Sequence, residues 1–197
     1  METQIYSLKI TYEGCAKKIW RTAEVSSNYD LAKLGYLILA TFDTLAYHLF
    51  EINYNGRTYA LDSDDMGIDG NVSLLADTKL SSLNLTNGSQ MKMIYDFGCD
   101  QEFDIKLISV SDMASGSSTL YPRIVDGAGK GIIDDMPAFE LLKMIKKIDK
   151  TGESKFTYLS PYNTEDPWDY RDFNLNWCNY GLKTAVKNIR AGFGQEE

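Results

Sequence analysis

The stretch that decides the fold covers residues 6–42 and reads YSLKITYEGCAKKIWRTAEVSSNYDLAKLGYLILATF. Residues 6–12 alternate between apolar and polar side chains, which is typical of a half-buried strand. A second run, residues 18–25, is rich in β-branched and aromatic residues, so the two runs predict a hairpin. The apolar residues that follow recur at helical spacing, and Asn28 or Asp30 can cap the helix that they predict.

Glycine marks the next two features. Gly35 lies inside the predicted helix, where it costs about 1 kcal/mol relative to alanine, so we expect a close approach to the sheet there. Further on, residues 47–54 and 58–61 flank Asn55-Gly56. Asn-Gly is the strongest short hairpin signal, because both central residues of a type I′ turn need positive φ.

The order of the elements predicts the fold class. Residues 80–85 form a short turn, and alternating strands follow from Met91 and over residues 102–110. The order strand, strand, helix, strand, strand, turn, strand is that of a β-grasp, and residues 77–97 resemble the corresponding stretch of ubiquitin. We therefore predict an α+β fold: a β-grasp-like mixed sheet with a packed helix, extended by further strands and a helical C-terminal part.

The chain changes character after residue 111. We expect a β-grasp-like sheet region over residues 1–111, and a loop and helix extension over residues 112–197 that packs on it as one compact unit. In the extension, Asp135 is predicted to cap a helix, and a last helix is predicted over residues 177–190. Residues 160–172, rich in Pro, Tyr and Asp, are predicted to wrap the surface.

Composition narrows the function classes. The 197 residues are 44% hydrophobic and 24% charged, as in ordinary globular proteins. A net charge of −8 disfavours binding to nucleic acid, because an acidic surface repels the phosphate backbone. The first ten residues, METQIYSLKI, do not read as a secretory signal, and we expect no membrane helix because no apolar run reaches the required length. Three widely spaced cysteines favour reduced thiols in a cytoplasmic protein over a disulfide framework or a zinc site.

Three motifs fail as sites of known chemistry. His48 is the only histidine, and its alternating context predicts a structural strand residue. Residues 62–71, DSDDMGIDGN, resemble a calcium loop but place Met66 where an oxygen ligand is required. Residues 125–135 are Gly-rich but lack the G-K-[ST] of a phosphate-binding loop, so they predict a flexible turn. The sequence thus predicts neither a cofactor nor a metal.

A cluster of carboxylates remains open. Asp134 and Asp135 could meet Asp96, Asp100 and Glu102. Paired carboxylates perform acid–base chemistry only when their environments separate their pKa values. Nothing in the sequence shows that they converge, and helix capping and surface charge explain these residues more simply.

Four short motifs carry a family resemblance: I-W-R at residues 19–21, H-L-F-E at 48–51, Y-D-F-G at 95–98 and Y-P-R at 121–123. Together with their surroundings they resemble the plasmid pRiA4b open-reading-frame-three-like family over nearly the whole chain. The resemblance implies an α+β fold and a bacterial or mobile-element setting, without an established activity. Recombinase-like labels within the family do not fit a chain that lacks a helix-turn-helix and a basic surface.

The departures from the family pattern are also informative. After Y-D-F-G the family has an acidic residue, a tryptophan and Glu-His, where this chain has Cys99, Gln101 and Glu102-Phe103. Its usual Pro-Pro-Glu-Asp is replaced by residues 132–135, IIDD, so the acidic pair persists, as does His48.

We therefore predict a non-enzymatic protein-interaction module, linked to plasmids or mobile elements, with an unknown protein partner. An exposed sheet face and edge would serve such a role. Two alternatives stay open: a metal-dependent enzyme that uses the carboxylates with His48, and an accessory nucleic-acid-associated protein. The candidate interaction surface consists of His48, Tyr95, Asp96, Tyr121, Arg123, Asp134 and Asp135.

Overall fold

The computed structural model describes residues 3–15, 17–62, 72–113 and 119–194, and confirms the α+β class. The strands are β1 Gln4–Tyr12, β2 Trp20–Ser26, β3 Phe50–Tyr54, β4 Arg57–Ala60, β5 Val72–Leu74, β6 Gln90–Tyr95, β7 Gln101–Asp112, β8 Arg123–Ala128, β9 Phe156–Leu159 and β10 Glu165–Trp168. The helices are α1 Leu31–Thr41, α2 Ala138–Thr151, α3 Leu175–Asn179 and α4 Leu182–Gly192, and a 3₁₀ turn lies at Leu80–Leu83.

Eight of these strands form one mixed sheet in the order β5-β4-β3-β6-β7-β1-β2-β8, and β9 and β10 form a separate hairpin. Only β4 and β5 pair in parallel among the described strands. The β-grasp detail is not confirmed, because β7 lies between β6 and the first strand and runs antiparallel to both.

Helix α1 packs on the sheet as its sequence predicts. The carboxylate of Asp30 accepts a hydrogen bond from the Lys33 backbone N–H at 2.7 Å, so Asp30 rather than Asn28 caps the helix. A Cβ on Gly35 would overlap the ring of Phe50 on β3, which confirms the predicted close approach. Helix α4 in turn packs on α1, where Phe193 stacks on Tyr36 at a centroid distance of 5.4 Å.

The Asn-Gly hairpin is confirmed between β3 and β4. Asn55 and Gly56 have φ of 49° and 73°, the positive values that a type I′ turn requires. Of the calcium-like stretch, residues 63–71 lie outside the described residues, and so do residues 114–118 near the start of the predicted extension.

The Gly-rich segment differs from the prediction. Residues 123–128 are not a loop but the edge strand β8, which pairs with β2. Its glycines permit close packing: a Cβ on Gly127 would lie 2.7 Å from the ring of Phe173, and one on Gly129 or Gly131 would overlap backbone atoms. These contacts are long-range in sequence, so a local pattern of Gly and Asp predicts only a turn.

Two predictions for the C-terminal part are wrong. Asp135 does not cap α2, whose N-cap is Pro137, because the Asp135 carboxylate bonds elsewhere. The last helix is divided into α3 and α4, since Gly181 between them adopts φ of 70°, in the left-handed region. The surface segment of residues 160–172 contributes β10, which pairs with β9.

No helix in these described ranges combines the length and the apolar character that a bilayer-spanning segment needs.

We expect Gly131→Ala to destabilise the protein by about 3 kcal/mol, because the new Cβ would overlap the carbonyl group of Phe42 and backbone cannot move aside cheaply. Urea unfolding followed by circular dichroism measures the change. The matched control is Gly192→Ala at the end of α4, where a Cβ meets nothing within 4 Å and we expect a change within about 0.5 kcal/mol. Equal unfolding midpoints for the two variants would contradict the prediction.

Candidate metal centre

The candidate site lies at the end of the sheet where the interior strand β3 begins and its neighbour β6 ends. Antiparallel pairing places Phe50 opposite Tyr95, and the Asp96 N–H donates to the Leu49 carbonyl at 3.1 Å. His48 is therefore brought beside Asp96. The prediction of His48 within a strand is wrong: β3 begins at Phe50.

A second segment, residues 129–135, completes the site by docking against the turn that follows α1. The Ile132 N–H donates to the carbonyl of Phe42 at 2.9 Å. The Leu45 N–H donates to Asp134 at 2.8 Å. These hydrogen bonds hold the segment against the end of the sheet, so that Asp135 contacts His48.

His48 and two carboxylates form a compact cluster. The Nε2 of His48 lies 2.9 Å from Oδ1 of Asp135 and 3.7 Å from Oδ2 of Asp96. One ligand atom from each of the three lies within 4.8 Å of the other two. Donors around an ion at metal–ligand distances of about 2.1 Å are roughly 3.0–3.4 Å apart, so small side-chain movements suffice to enclose a cation.

Asp96 is the buried member of the cluster. Its side chain is only 5% exposed, and its Oδ1 accepts the Gly98 N–H at 3.1 Å. Its Oδ2 has no hydrogen-bond partner among the described residues. Asp96 and Asp135 both have left-handed backbone, with φ of 57° and 58°, a conformation that is uncommon outside glycine and often found at functional sites.

Asp134 is a structural clamp. Its Oδ1 accepts the hydroxyl of Tyr95 at 2.6 Å and its Oδ2 accepts the Leu45 N–H, so both oxygens are occupied. Burial raises the pKa of Asp134, while the two hydrogen bonds oppose that rise. The side chain thus joins β6, the turn after α1 and segment 129–135.

Asp135, unlike Asp134, is largely exposed: its side chain is 65% accessible to solvent. The hydroxyl of Tyr47 donates to Oδ2, and the imidazole N–H of His48 donates to Oδ1 because a carboxylate can only accept. The hydrogen bond from Tyr47, and then that from His48, lowers the pKa of Asp135. Asp135 is therefore an ionised carboxylate at the mouth of the site.

Five of the seven predicted surface residues meet here: His48, Tyr95, Asp96, Asp134 and Asp135. Tyr121 and Arg123 do not. Arg123 begins β8, four strands from β6 and about 19 Å away at normal strand spacing, where it pairs with Glu24 at 2.7 Å. Tyr47 was missed, because no sequence pattern distinguishes it from a strand residue.

Tyr47→Phe should raise the pKa of Asp135 towards the unfolded value of about 3.9, because it removes the hydrogen bond that contributes most to the lowering. A carboxyl with a lowered folded-state pKa stabilises the fold above its unfolded pKa, and this contribution is lost as the pH falls through the folded-state value. The variant should therefore lose less stability on acidification than the wild type does. Carbon-13 NMR titration of the carboxyl groups measures the pKa.

The matched control is Tyr180→Phe, which removes a hydroxyl from another exposed tyrosine, stacked on Trp177. It should leave the pKa of Asp135 unchanged. An unchanged pKa of Asp135 in Tyr47→Phe would show that the Tyr47 hydrogen bond does not set it.

Comparison with known proteins gives a family and a fold. The model of the family described as plasmid pRiA4b ORF-3-like protein matches residues 4–177. The chain is similar to the crystal structure of a protein of unknown function, MM3350, from Methanosarcina mazei Go1, with a TM-score of 0.65 and 22% identity over 78% of this chain and 85% of that one. No curated protein matches the chain. With the family match covering most of its length, this chain belongs to the plasmid pRiA4b ORF-3-like family.

Proposed function

We propose that this protein binds a divalent transition-metal ion through His48, Asp96 and Asp135, and that the ion is the centre of its activity. The observation that carries the proposal is Asp96, a buried carboxylate with one unpartnered oxygen 3.7 Å from the His48 imidazole. Burying an unpaired charged oxygen costs several kcal/mol, and a cation bound at this point offsets that cost.

The donor set favours particular ions. One imidazole and two carboxylates suit Mn²⁺, Fe²⁺, Co²⁺ or Zn²⁺. Calcium prefers six to eight oxygens, and magnesium prefers oxygen ligands throughout, so both fit less well. Three protein ligands also leave coordination positions for water or for a substrate.

The geometry favours metal-assisted hydrolysis among enzymatic roles. An ion in this site would acidify a bound water and polarise a substrate oxygen. Asp134 is poorly placed as a base, because both of its oxygens accept hydrogen bonds. Tyr47 is 53% exposed beside the ligands, so its hydroxyl is the group best placed to contact a substrate.

Isothermal titration calorimetry of the chelator-treated protein with MnCl₂, CoCl₂ and ZnCl₂ tests the proposal. We expect one site per chain, and stabilisation by about 2.7 kcal/mol when the free ion is at 100 times its Kd. Asp96→Asn should weaken binding by 100-fold or more, yet leave the metal-free protein at least as stable as the wild type, because it removes a buried charge while keeping the oxygen that accepts the Gly98 N–H.

Asp100→Asn is the matched control, since it removes a charge from the same turn at an exposed residue outside the ligand cluster. Asn tolerates the left-handed backbone of that position, where φ is 47°. Affinity retained by Asp96→Asn, or lost equally in both variants, would contradict the assignment of Asp96 as a ligand.

A protein-interaction module is a second candidate function, favoured by the exposed apolar side chains around the same site. Three large apolar side chains are exposed around the cluster: Tyr47 at 53%, Leu49 at 43% and Phe97 at 49%. We propose a protein partner that covers this apolar rim and ligates the metal with one side chain, because three ligands from this chain leave coordination positions open.

Leu49→Ser with Phe97→Ser tests this second candidate. We expect metal affinity to stay within about threefold of the wild type, because neither side chain is a ligand. Binding of a captured and then purified partner should fall by 100-fold or more, as expected when central apolar anchors are removed. Ile108→Ser with Val110→Ser, exposed on β7 away from the cluster, is the control. Partner binding that survives the rim variant would contradict this candidate.

A further inference from the structure

Several buried polar atoms near the proposed metal site have no hydrogen-bond partner among the described residues. Four buried side-chain atoms in the described part of the chain lack a hydrogen-bond partner: Tyr12 OH, Tyr36 OH, Asp96 Oδ2 and Gln101 Oε1. Such atoms are rare in folded proteins, and each calls for an explanation. Three of the four belong to the same end of the sheet.

The strand register places the backbone positions of these three at one end of neighbouring strands. Tyr12 on β1 lies opposite Phe103 on β7, and Gln101, two residues earlier on β7, lies opposite Tyr95, which precedes Asp96. Tyr12 and Gln101 are both fully buried and lie on the core side of the sheet. Burial is the main cause of the raised pKa of Tyr12, and Cys15, Cys99 and, least of all, Asp96 raise it further.

The three groups are chemically complementary. The neutral phenol of Tyr12 offers a donor, while Gln101 Oε1 and Asp96 Oδ2 are acceptors. No direct hydrogen bond joins them. A water molecule with two to four polar partners satisfies such a set, and it does so at little cost in a polar interior site.

We propose that Tyr12, Gln101 and Asp96 form a buried water-binding compartment behind the metal centre. The bound water accepts from Tyr12 and donates to Gln101 and Asp96, and it holds the Asp96 carboxylate in its ligating orientation. Tyr12 and Gln101 are thus positioning residues. Their effect on metal affinity rests on the proposed function, whereas the compartment itself does not.

Gln101 also links the compartment to the second segment of the site. Its Nε2 donates to the carbonyl of Ile133 at 3.4 Å, and Ile133 immediately precedes Asp134 and Asp135. A displaced Gln101 would therefore disturb both carboxylate-bearing segments. Second-shell groups of this kind commonly change metal affinity 10- to 100-fold when removed.

The chain provides a matched control. Tyr36 is as buried as Tyr12 and its hydroxyl equally lacks a hydrogen-bond partner, but it lies on α1 and its ring packs against Phe50 and Phe193. Removing a hydroxyl that truly lacks a partner should not lower stability. Removing one that binds structural water should.

The experiment compares Tyr12→Phe with Tyr36→Phe. In chelator, we expect a lower urea midpoint for Tyr12→Phe only. With CoCl₂ as the probe, we expect about tenfold weaker binding and a shifted visible d–d spectrum for Tyr12→Phe, with both unchanged for Tyr36→Phe. The spectrum reports ligand orientation, which a merely structural effect on the fold would not alter.

A double-mutant cycle with Gln101→Met identifies the shared water. If one water serves both residues, Tyr12→Phe with Gln101→Met should lose little more stability than Gln101→Met alone, which already lacks the bond to Ile133. Additive losses, or a midpoint for Tyr12→Phe that does not fall below that of the wild type, would overturn the compartment. Should no variant or wild type bind cobalt while the chelator results stand, the metal function fails and the compartment survives.

Discussion

One buried guanidinium holds together the segments on which the site depends. Arg21 on β2 is 1% exposed, and it donates to the carbonyls of Thr41, Trp20 and Ala128 at 2.8–3.0 Å. The Thr41 carbonyl is one of those that the end of α1 leaves without a helical partner, where the helix dipole also favours a cation. A single side chain therefore fixes the end of α1 and the end of β8 against β2. Its cation lies between the rings of Phe42 and Phe173, at 4.8 and 4.4 Å.

Arg21 helps to fix the positions of the proposed metal ligands, because two short stretches of chain connect its partners to them. From Thr41 the chain turns towards His48, and from Ala128 it passes through Gly131 to Asp135. Because Gly131 lies against the carbonyl group of Phe42, the two stretches cannot separate without losing the bond from Ile132 to Phe42. The ligands thus lie on short connections held by rigid elements, which is how sites of defined geometry are maintained.

Local sequence signals predicted the elements whose causes are local. Alternation over residues 6–12, the Asp30 cap and the Asn55-Gly56 turn each express a short-range preference, and each is present. Strand β8 was not predicted, because its pairing with β2 is a contact between residues about 100 positions apart. The predicted strand that includes His48 begins at residue 47, before the observed start of β3 at Phe50. The left-handed residues Asp43 and Ala46, which shape the preceding turn, carry no recognisable sequence signal. The proximity of residues 48 and 96 is likewise a property of the sheet register, and Asp135 joins them through long-range contacts of segment 129–135 with the turn after α1.

Adjacent Asp134 and Asp135 show why the sequence alone could not divide the roles. The same side chain occurs twice in succession, yet burial raises the pKa of Asp134 while the bond from Tyr47 lowers that of Asp135. Both oxygens of Asp134 accept hydrogen bonds from other parts of the fold, whereas the Asp135 carboxylate is exposed to solvent beside His48. Asp96 is unlike either, being buried but only half satisfied. A structural role would be served better by a neutral Asn, which keeps the bond to Gly98 without a buried unpaired charge. A carboxylate at this position is explained most simply by a cation that it binds.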